Sequence, residues 1–378
     1  MKKFEIYTSG RNNNLNLLRF VLASLVIFTH SMGLTGNGDQ EPLYHLTGQS
    51  FGSLAVDMFF VVSGFLIAKS WLSRQDLFRF FSARILRIYP GLLVCVLLSV
   101  LLLGPIFTSL PLLEYFLHID TFKFAAENST LIIKGVYPHL PGVFVGQGEG
   151  AVNASLWTLP FELKMYALLL LLGLVGFLRR YPVILLVACT AVSYGYFIVY
   201  GEPLLLSGAF SRFIFFFFAG SAIYLWRSSL VFSCYISLSC LLLFVVAVLF
   251  FDKTLAMLVL ALITPYITLY LALVPSGKLQ LFNRFGDYSY GLYIYGFPLQ
   301  QVALALTGSA LTGGGSLLVS SSWSVNFAIA WPLTLLCAVL SWHGIESIAL
   351  KKHIDWANWL RLQFERCRKT LRNRSFGN

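Results

Sequence analysis

Charge is what this sequence has least of. Only 11% of its 378 residues are Asp, Glu, Lys or Arg, against about 25% in an ordinary soluble domain. So little solvating surface excludes a soluble globular or disordered chain. Acidic residues are scarcer still, 16 against 27 basic, which leaves a net charge of +11. The basic residues are not gathered on one module, so a nucleic-acid partner is excluded as well. Cysteine is sparse and unpatterned. Cys95, Cys189, Cys234, Cys240 and Cys337 lie inside apolar runs, Cys367 lies in a basic tail, and no C-x-x-C occurs. Neither a metal site nor a disulfide framework is indicated, and the thiols read as small buried apolar groups. No internal repeat is visible, so the inverted-repeat build of many transporters has no support. What abounds is apolar surface: 57% hydrophobic residues, 34 Phe and a mean hydropathy of +0.76.

A membrane span needs about 20 mainly apolar residues. Ten runs qualify: 15–33, 52–71, 91–110, 156–177, 182–200, 207–226, 230–251, 255–274, 286–306 and 323–344. The expected fold is an all-α, polytopic membrane bundle of about ten helices. The first run follows Lys2 and Lys3 but is too long for a signal-peptide core and has no A-x-A site, so it reads as a retained helix. Orientation follows from the basic residues. With the N-terminus in the cytoplasm, only Lys123, Lys134 and Lys253 fall outside, and Arg19, Lys164 and Arg212 fall within spans. All the others are cytoplasmic, so both termini are expected there, in the cell (inner) membrane. Residues 1–346 form one transmembrane domain. Residues 347–378 form a basic tail that reads equally as a solvated segment or as a helix lying on the anionic inner leaflet. The long outer segment 110–155 reads as a functional loop or lid.

An ionisable group inside a span is costly unless it is paired or faces water, so each is a functional candidate. Counting along the helices gives two layers. His30, Asp57, Glu162, Lys164 and Arg212 are expected near the outer face. Arg19, Arg84, Arg87 and Glu346 are expected near the inner face. Arg19 and His30 are eleven residues apart, roughly 16 Å along a helix. Arg84 and Arg87, at i and i+3, share a helical face, and guanidinium groups bind phosphate oxygens in pairs. A polyanionic ligand at the inner mouth is one reading, and plain positive-inside bias is the other. His30 reads either as a packing residue or as a general base whose tautomer Asp57 holds. Arg19 and Glu346 read as a structural ion pair.

These residues also carry a resemblance. Leu17-Leu18-Arg19-Phe20 through His30 is similar to the opening of the membrane acyltransferase-3 family, in which an Arg precedes a His by this distance on the first helix. Val56-Asp57-Met58-Phe59-Phe60-Val61-Val62-Ser63-Gly64-Phe65-Leu66-Ile67 resembles its V-D-x-F-F-x-x-S-G-F-L-I, and Arg84-Ile85-Leu86-Arg87 before Pro90 its R-x-x-R element. Ser155-Leu156-Trp157-Thr158-Leu159 with Glu162, Ser289-Tyr290 with Tyr293, and Ser341-Trp342 with Glu346 complete six ordered motifs from residue 17 to 346. There are two departures. Gly296-Phe297-Pro298 stands where many relatives have His-x-Pro, so no role for a histidine there carries over. An SGNH-type domain, appended in some relatives, is not expected here.

The resemblance implies an O-acyltransferase moving an acyl group, usually acetyl, from cytoplasmic acyl-CoA to a sugar hydroxyl of a surface polysaccharide or glycolipid. Acyl-CoA would be a co-substrate, with no bound cofactor and no metal. His30 and Asp57 would be catalytic, and Arg84, Arg87 and Arg19 would bind the donor. Glu162, Arg212, Trp157 and Glu346 would contact the acceptor or support the structure. The partners are then acyl-CoA, the glycan acceptor and membrane lipid, with a homodimer left open. Without the motifs, a proton-coupled transporter using Asp57, His30 and Glu162 as a relay would come first. A non-catalytic membrane sensor or assembly factor is a third class.

Overall fold

A computed structural model describes residues 13–131, 135–147, 150–312 and 322–375. The basic N-terminus, Lys134 and most of the 307–322 loop lie outside the described residues. Eleven principal helices follow in order: α1 Leu15–Leu34, α2 Phe51–Arg74, α3 Leu77–Leu98, α4 Leu159–Leu174, α5 Arg180–Tyr200, α6 Gly208–Leu225, α7 Cys234–Phe250, α8 Lys253–Leu273, α9 Ser289–Thr312, α10 Trp323–Ser341 and α11 His353–Ser375. Eight described stretches are long and apolar enough to cross a membrane, with α3 continuing to Phe107, α4 entered from Ala154 and α10 continuing to Lys351. The 17-residue α7 and α9 stand at the seventh and ninth expected spans.

Short polar residues start the helices. Ser50, Asp76, Ser207 and Asp252 each accept a hydrogen bond from a backbone N–H three residues on, satisfying a donor that the first turn leaves free. At the other end of α5, Gly201 takes the left-handed conformation (φ 74°) that closes the helix.

α2 and α6 are the most enclosed spans among the described residues, and they cross backbone to backbone. A Cβ on Gly64 would lie 1.8 Å from the Phe217 carbonyl oxygen, and one on Gly220 would lie 2.1 Å from that of Val61. The Ser221 hydroxyl donates to the Gly64 carbonyl at 3.0 Å. Such small-residue crossings suit membranes, where association rests on close packing rather than on the hydrophobic effect. α1 lies against α2, α9 and α10. Its fit to α9 is tight at Gly296, whose Cβ would meet Ile27 at 3.0 Å.

The chain before α4 is not a surface loop throughout. Pro298 inside α9 has no N–H, so the Ile294 carbonyl four residues earlier loses its helical partner. The Asn153 side-chain amide donates to that carbonyl at 2.8 Å, and Gln301 donates to the Ala151 carbonyl at 2.6 Å. Val152, Asn153, Ser155 and Leu156 are buried. The chain thus descends into the bundle as irregular backbone as far as Asn153 and then as a 3₁₀ turn over Ala154–Thr158, and irregular backbone is tolerated at membrane depth only inside protein.

The basic tail is helical and docks on α3. The Arg361 guanidinium pairs with Asp76 at 2.7 Å and stacks over Phe78, while Phe364 meets the same ring. Burial would raise the Asp76 carboxyl, but the Arg79 N–H and Arg361 outweigh it and hold it below the usual range.

Candidate active site

Two polar regions occupy the bundle. The first is a cavity of about 340 Å³ that reaches His353 at the start of α11. Arg19 of α1, Arg84 and Arg87 of α3, and Glu162 and Tyr166 of α4 line it. Asp287, just before α9, accepts from both Arg19 and Arg87, the latter at 2.7 Å. It also accepts from the Ser289 hydroxyl at 2.5 Å. Arg84 differs. Its Nε is buried without a hydrogen-bond partner, and its guanidinium lies 5.8 Å from the centre of the Tyr166 ring. Glu162 accepts from the Tyr166 hydroxyl, which also receives Ser63 at 3.2 Å. An arginine without a carboxylate, inside an enclosed space, is a ready anion contact.

The cavity extends along α2 from Ile67 to Val56, and its inner wall includes Thr158 hydrogen-bonded to Tyr293. One helical turn further along α9 stands Phe297, edge-on to the His30 ring at 5.2 Å. His30 is half-buried and does not line the cavity.

The second region surrounds His30, whose Nδ1 is buried and has no hydrogen-bond partner. Gln300 fixes the helix on either side of it, donating to the Ile27 carbonyl at 2.6 Å and the Ser31 hydroxyl at 2.7 Å. The Thr29 hydroxyl donates to Glu41 at 2.8 Å and accepts from the Gly52 N–H at 2.8 Å. Burial pushes the Glu41 carboxyl up, and the bonds from Thr29 and the Phe51 N–H only partly offset it. The side-chain oxygens of Gln147, Gln300, Gln301 and Asn326 are buried without partners.

Comparison with known proteins gives this arrangement a context. The chain matches the acyltransferase-3 family, an acyltransferase domain, over residues 12–343. The chain belongs to the acyltransferase-3 family. It is 31% identical over 307 residues to an O-acetyl transferase of Shigella phage Sf6, covering 78% of this chain and 86% of that protein. A nodulation protein 10 of Rhizobium leguminosarum bv. viciae is 29% identical over 163 residues, 42% of this chain and 44% of its own. A putative membrane-bound transacylase of Komagataeibacter xylinus is 24% identical over 198 residues, 51% of this chain and 45% of its own. No solved structure matches the chain. This acyltransferase-3 protein is therefore a multi-pass membrane O-acyltransferase, and an enzyme rather than the transporter that intramembrane charges alone suggest.

Within this acyltransferase-3 domain, several sequence-based placements change. Asp57 does not hold His30. It is fully buried, and its two oxygens accept from Gln49 and from the Arg212 Nε, each at 2.6 Å. Equal depth on neighbouring helices does not set rotation about the axis, and Asp57 faces α6. Glu162 belongs with the arginines rather than with His30, because α4 begins inside the bundle and its first turn is already at cavity depth. Arg19 pairs with Asp287 and not with Glu346. Glu346 ends a π-helical turn, accepts from the Ser341 hydroxyl at 2.8 Å, and leaves its second oxygen buried without a partner. Lys164 is exposed beside the Phe161 ring, and Trp157 packs on Phe161 and Phe213. Asp287 escaped sequence reasoning although it is the only acidic residue between Asp252 and Glu346. Among the described residues, no cluster of His, Cys, Asp or Glu forms a metal site.

The Asp57–Arg212 pair leads to a first expected result. Arg212→Ala strands a fully buried carboxylate, and breaking such a pair costs about 3–5 kcal/mol. Thermal unfolding of the detergent-solubilised variant should show a large loss of stability, whereas Asp57→Asn, which leaves no stranded anion, should lose less. Equal unfolding midpoints for Arg212→Ala and the parent would contradict this assignment.

Proposed function

We propose that this O-acyltransferase takes its acyl group, acetyl in the simplest case, from cytoplasmic acyl-CoA. The acceptor is a hydroxyl of a cell-surface polysaccharide or glycolipid. The observation that carries this reading is Arg84, unpaired in a cavity whose far wall stops one helical turn from the residue touching His30. Donor phosphates sit at Arg84, with Arg87 and Arg19 behind it, and the pantetheine arm runs along α2 toward Val56 and Thr158. His30 takes the proton of the acceptor hydroxyl as its oxygen attacks the thioester carbonyl. The C–S bond breaks, and the departing thiolate takes up a proton, leaving the ester and free CoA. The unpartnered carboxamide oxygens of Gln300, which bonds α1 on either side of His30, and of Asn326, which bonds the Gln300 carbonyl, accept hydrogen bonds from neutral hydroxyl groups, as a sugar presents. In this reading both termini are cytoplasmic and the protein sits in the cell inner membrane.

Arg84 provides the test. A charge-assisted phosphate contact contributes about 1.5–3 kcal/mol, so Arg84→Ala should raise the donor KM roughly 10- to 100-fold. Transfer by purified protein from labelled acetyl-CoA measures it. An unchanged donor KM in the Arg84/Arg87 double alanine variant would remove the cavity as the donor site.

A further inference from the structure

The wall of the donor cavity is not made by the membrane spans alone. Leu350, near the end of the stretch that continues α10, and His353, the first residue of the tail helix α11, also line it. His353 is held on two sides. Its backbone carbonyl accepts from the Ser82 hydroxyl at 2.5 Å, and Ser82 is fully buried on α3, two residues before Arg84. Its ring Nδ1 lies 2.8 Å from the Leu350 carbonyl, so Nδ1 carries the proton and donates it. No hydrogen bond is made at Nε2 within the described protein. Further along, the Arg361–Asp76 pair and the Phe364–Phe78 contact hold α11 to α3, and Ala357 is fully buried. Arg19 and Arg87 are already engaged by Asp287. Arg84 and His353 are therefore cavity groups without a carboxylate partner, and His353 is anchored to the stretch of α3 that carries Arg84.

We propose that His353 is a donor-binding residue whose Nε2, protonated when the donor is bound, donates to a phosphate of the acyl donor held together with Arg84, and that α11 is the wall that positions it. The proposal rests on the reading of this cavity as the acyl-CoA site. It gives the tail a role distinct from lying on lipid. Asp76, Ser82 and Arg361 act through His353 and are positioning residues.

The test compares His353→Ala, His353→Gln and Arg84→Ala in the full-length protein, using acetyl-CoA, its 3′-dephospho form and acetyl-pantetheine as donors. For acetyl-CoA, His353→Ala should raise the donor KM about tenfold with kcat within about twofold, the size of one lost charge-assisted bond. His353→Gln, whose amide can reach the same point, should recover most of the loss. With acetyl-pantetheine, which has no phosphate, neither variant should differ from the parent. If the penalty vanishes already with the dephospho form, the contact is to the 3′-phosphate. If it persists, the contact is to the diphosphate. Arg361→Ala should move the donor KM in the same direction by less. A normal donor KM in both His353 variants, beside a raised one in Arg84→Ala, would overturn the proposal and leave the donor cavity standing. A normal KM in all of them would remove the cavity reading itself. An equal fall in kcat with Ala and Gln, with KM unchanged, would reduce His353 to packing and also overturn the proposal.

Discussion

Replacing His30 with glutamine should abolish acyl transfer while leaving the protein folded and able to bind its donor. A positioned general base contributes about 10²- to 10⁴-fold, so turnover should fall by at least two orders of magnitude. Donor affinity should hold because His30 does not line the arginine cavity. Stability should hold too, since the described contacts of the ring are its edge against Phe297 and an Nδ1 without a hydrogen bond. A packing histidine behaves otherwise: glutamine would be tolerated, and any loss of rate would follow the unfolding temperature. Turnover, donor binding and thermal unfolding measured on one preparation separate the two. A well-folded His30→Gln enzyme with normal turnover would eliminate the proton-transfer step proposed above.

The largest effect on folding is expected at Gly64. Adding a single methyl group there places a carbon 1.8 Å from the Phe217 carbonyl oxygen, and the obstruction is backbone that no rotamer change can move. Gly64→Ala must force α2 and α6 apart. That loosens the stacked Phe60–Phe213 contact, with ring centroids 4.3 Å apart, and the Ser221–Gly64 hydrogen bond. Overpacking at such a contact belongs with the large mutational losses, about 4 kcal/mol or more. Gly64→Ala should fail to give a monodisperse peak after detergent extraction, whereas Gly33→Ala, with open space around its Cβ, should behave as the parent does. A monodisperse Gly64→Ala protein with unchanged unfolding temperature would contradict the α2–α6 crossing.

The apolar runs were legible because a bilayer demands length and composition, and both are written residue by residue. The arginine face was legible too: Arg84 and Arg87 do line one cavity, as their three-residue spacing requires. Rotation about a helix axis was not. A span that is apolar on all sides carries no stripe to show which way Asp57 points, so its partner Arg212, 155 residues away, was hidden. Depth failed at Glu162 for another reason. Residues 150–158 enter the bundle before the α4 helix starts, and a count from the edge of the apolar run assumes that the run starts at the membrane surface. His353 was invisible because a basic tail looks the same in sequence whether it floats or docks.

The bond between Arg19 and Asp287 has a consequence for how the protein is made. Its two ends are 268 residues apart, and Asn14 beside Arg19 also binds backbone carbonyls of Leu271 and Pro275. At about 5–20 residues per second, roughly 15–50 s pass between synthesis of the first helix and arrival of the carboxylate that neutralises it. Throughout that interval the α1 guanidinium lacks the carboxylate that it pairs with in the finished fold. The first helix to be synthesised is therefore among the last to settle. The nascent bundle must stay open along α1, sheltered by the insertion machinery or by lipid headgroups, until α9 emerges to close it.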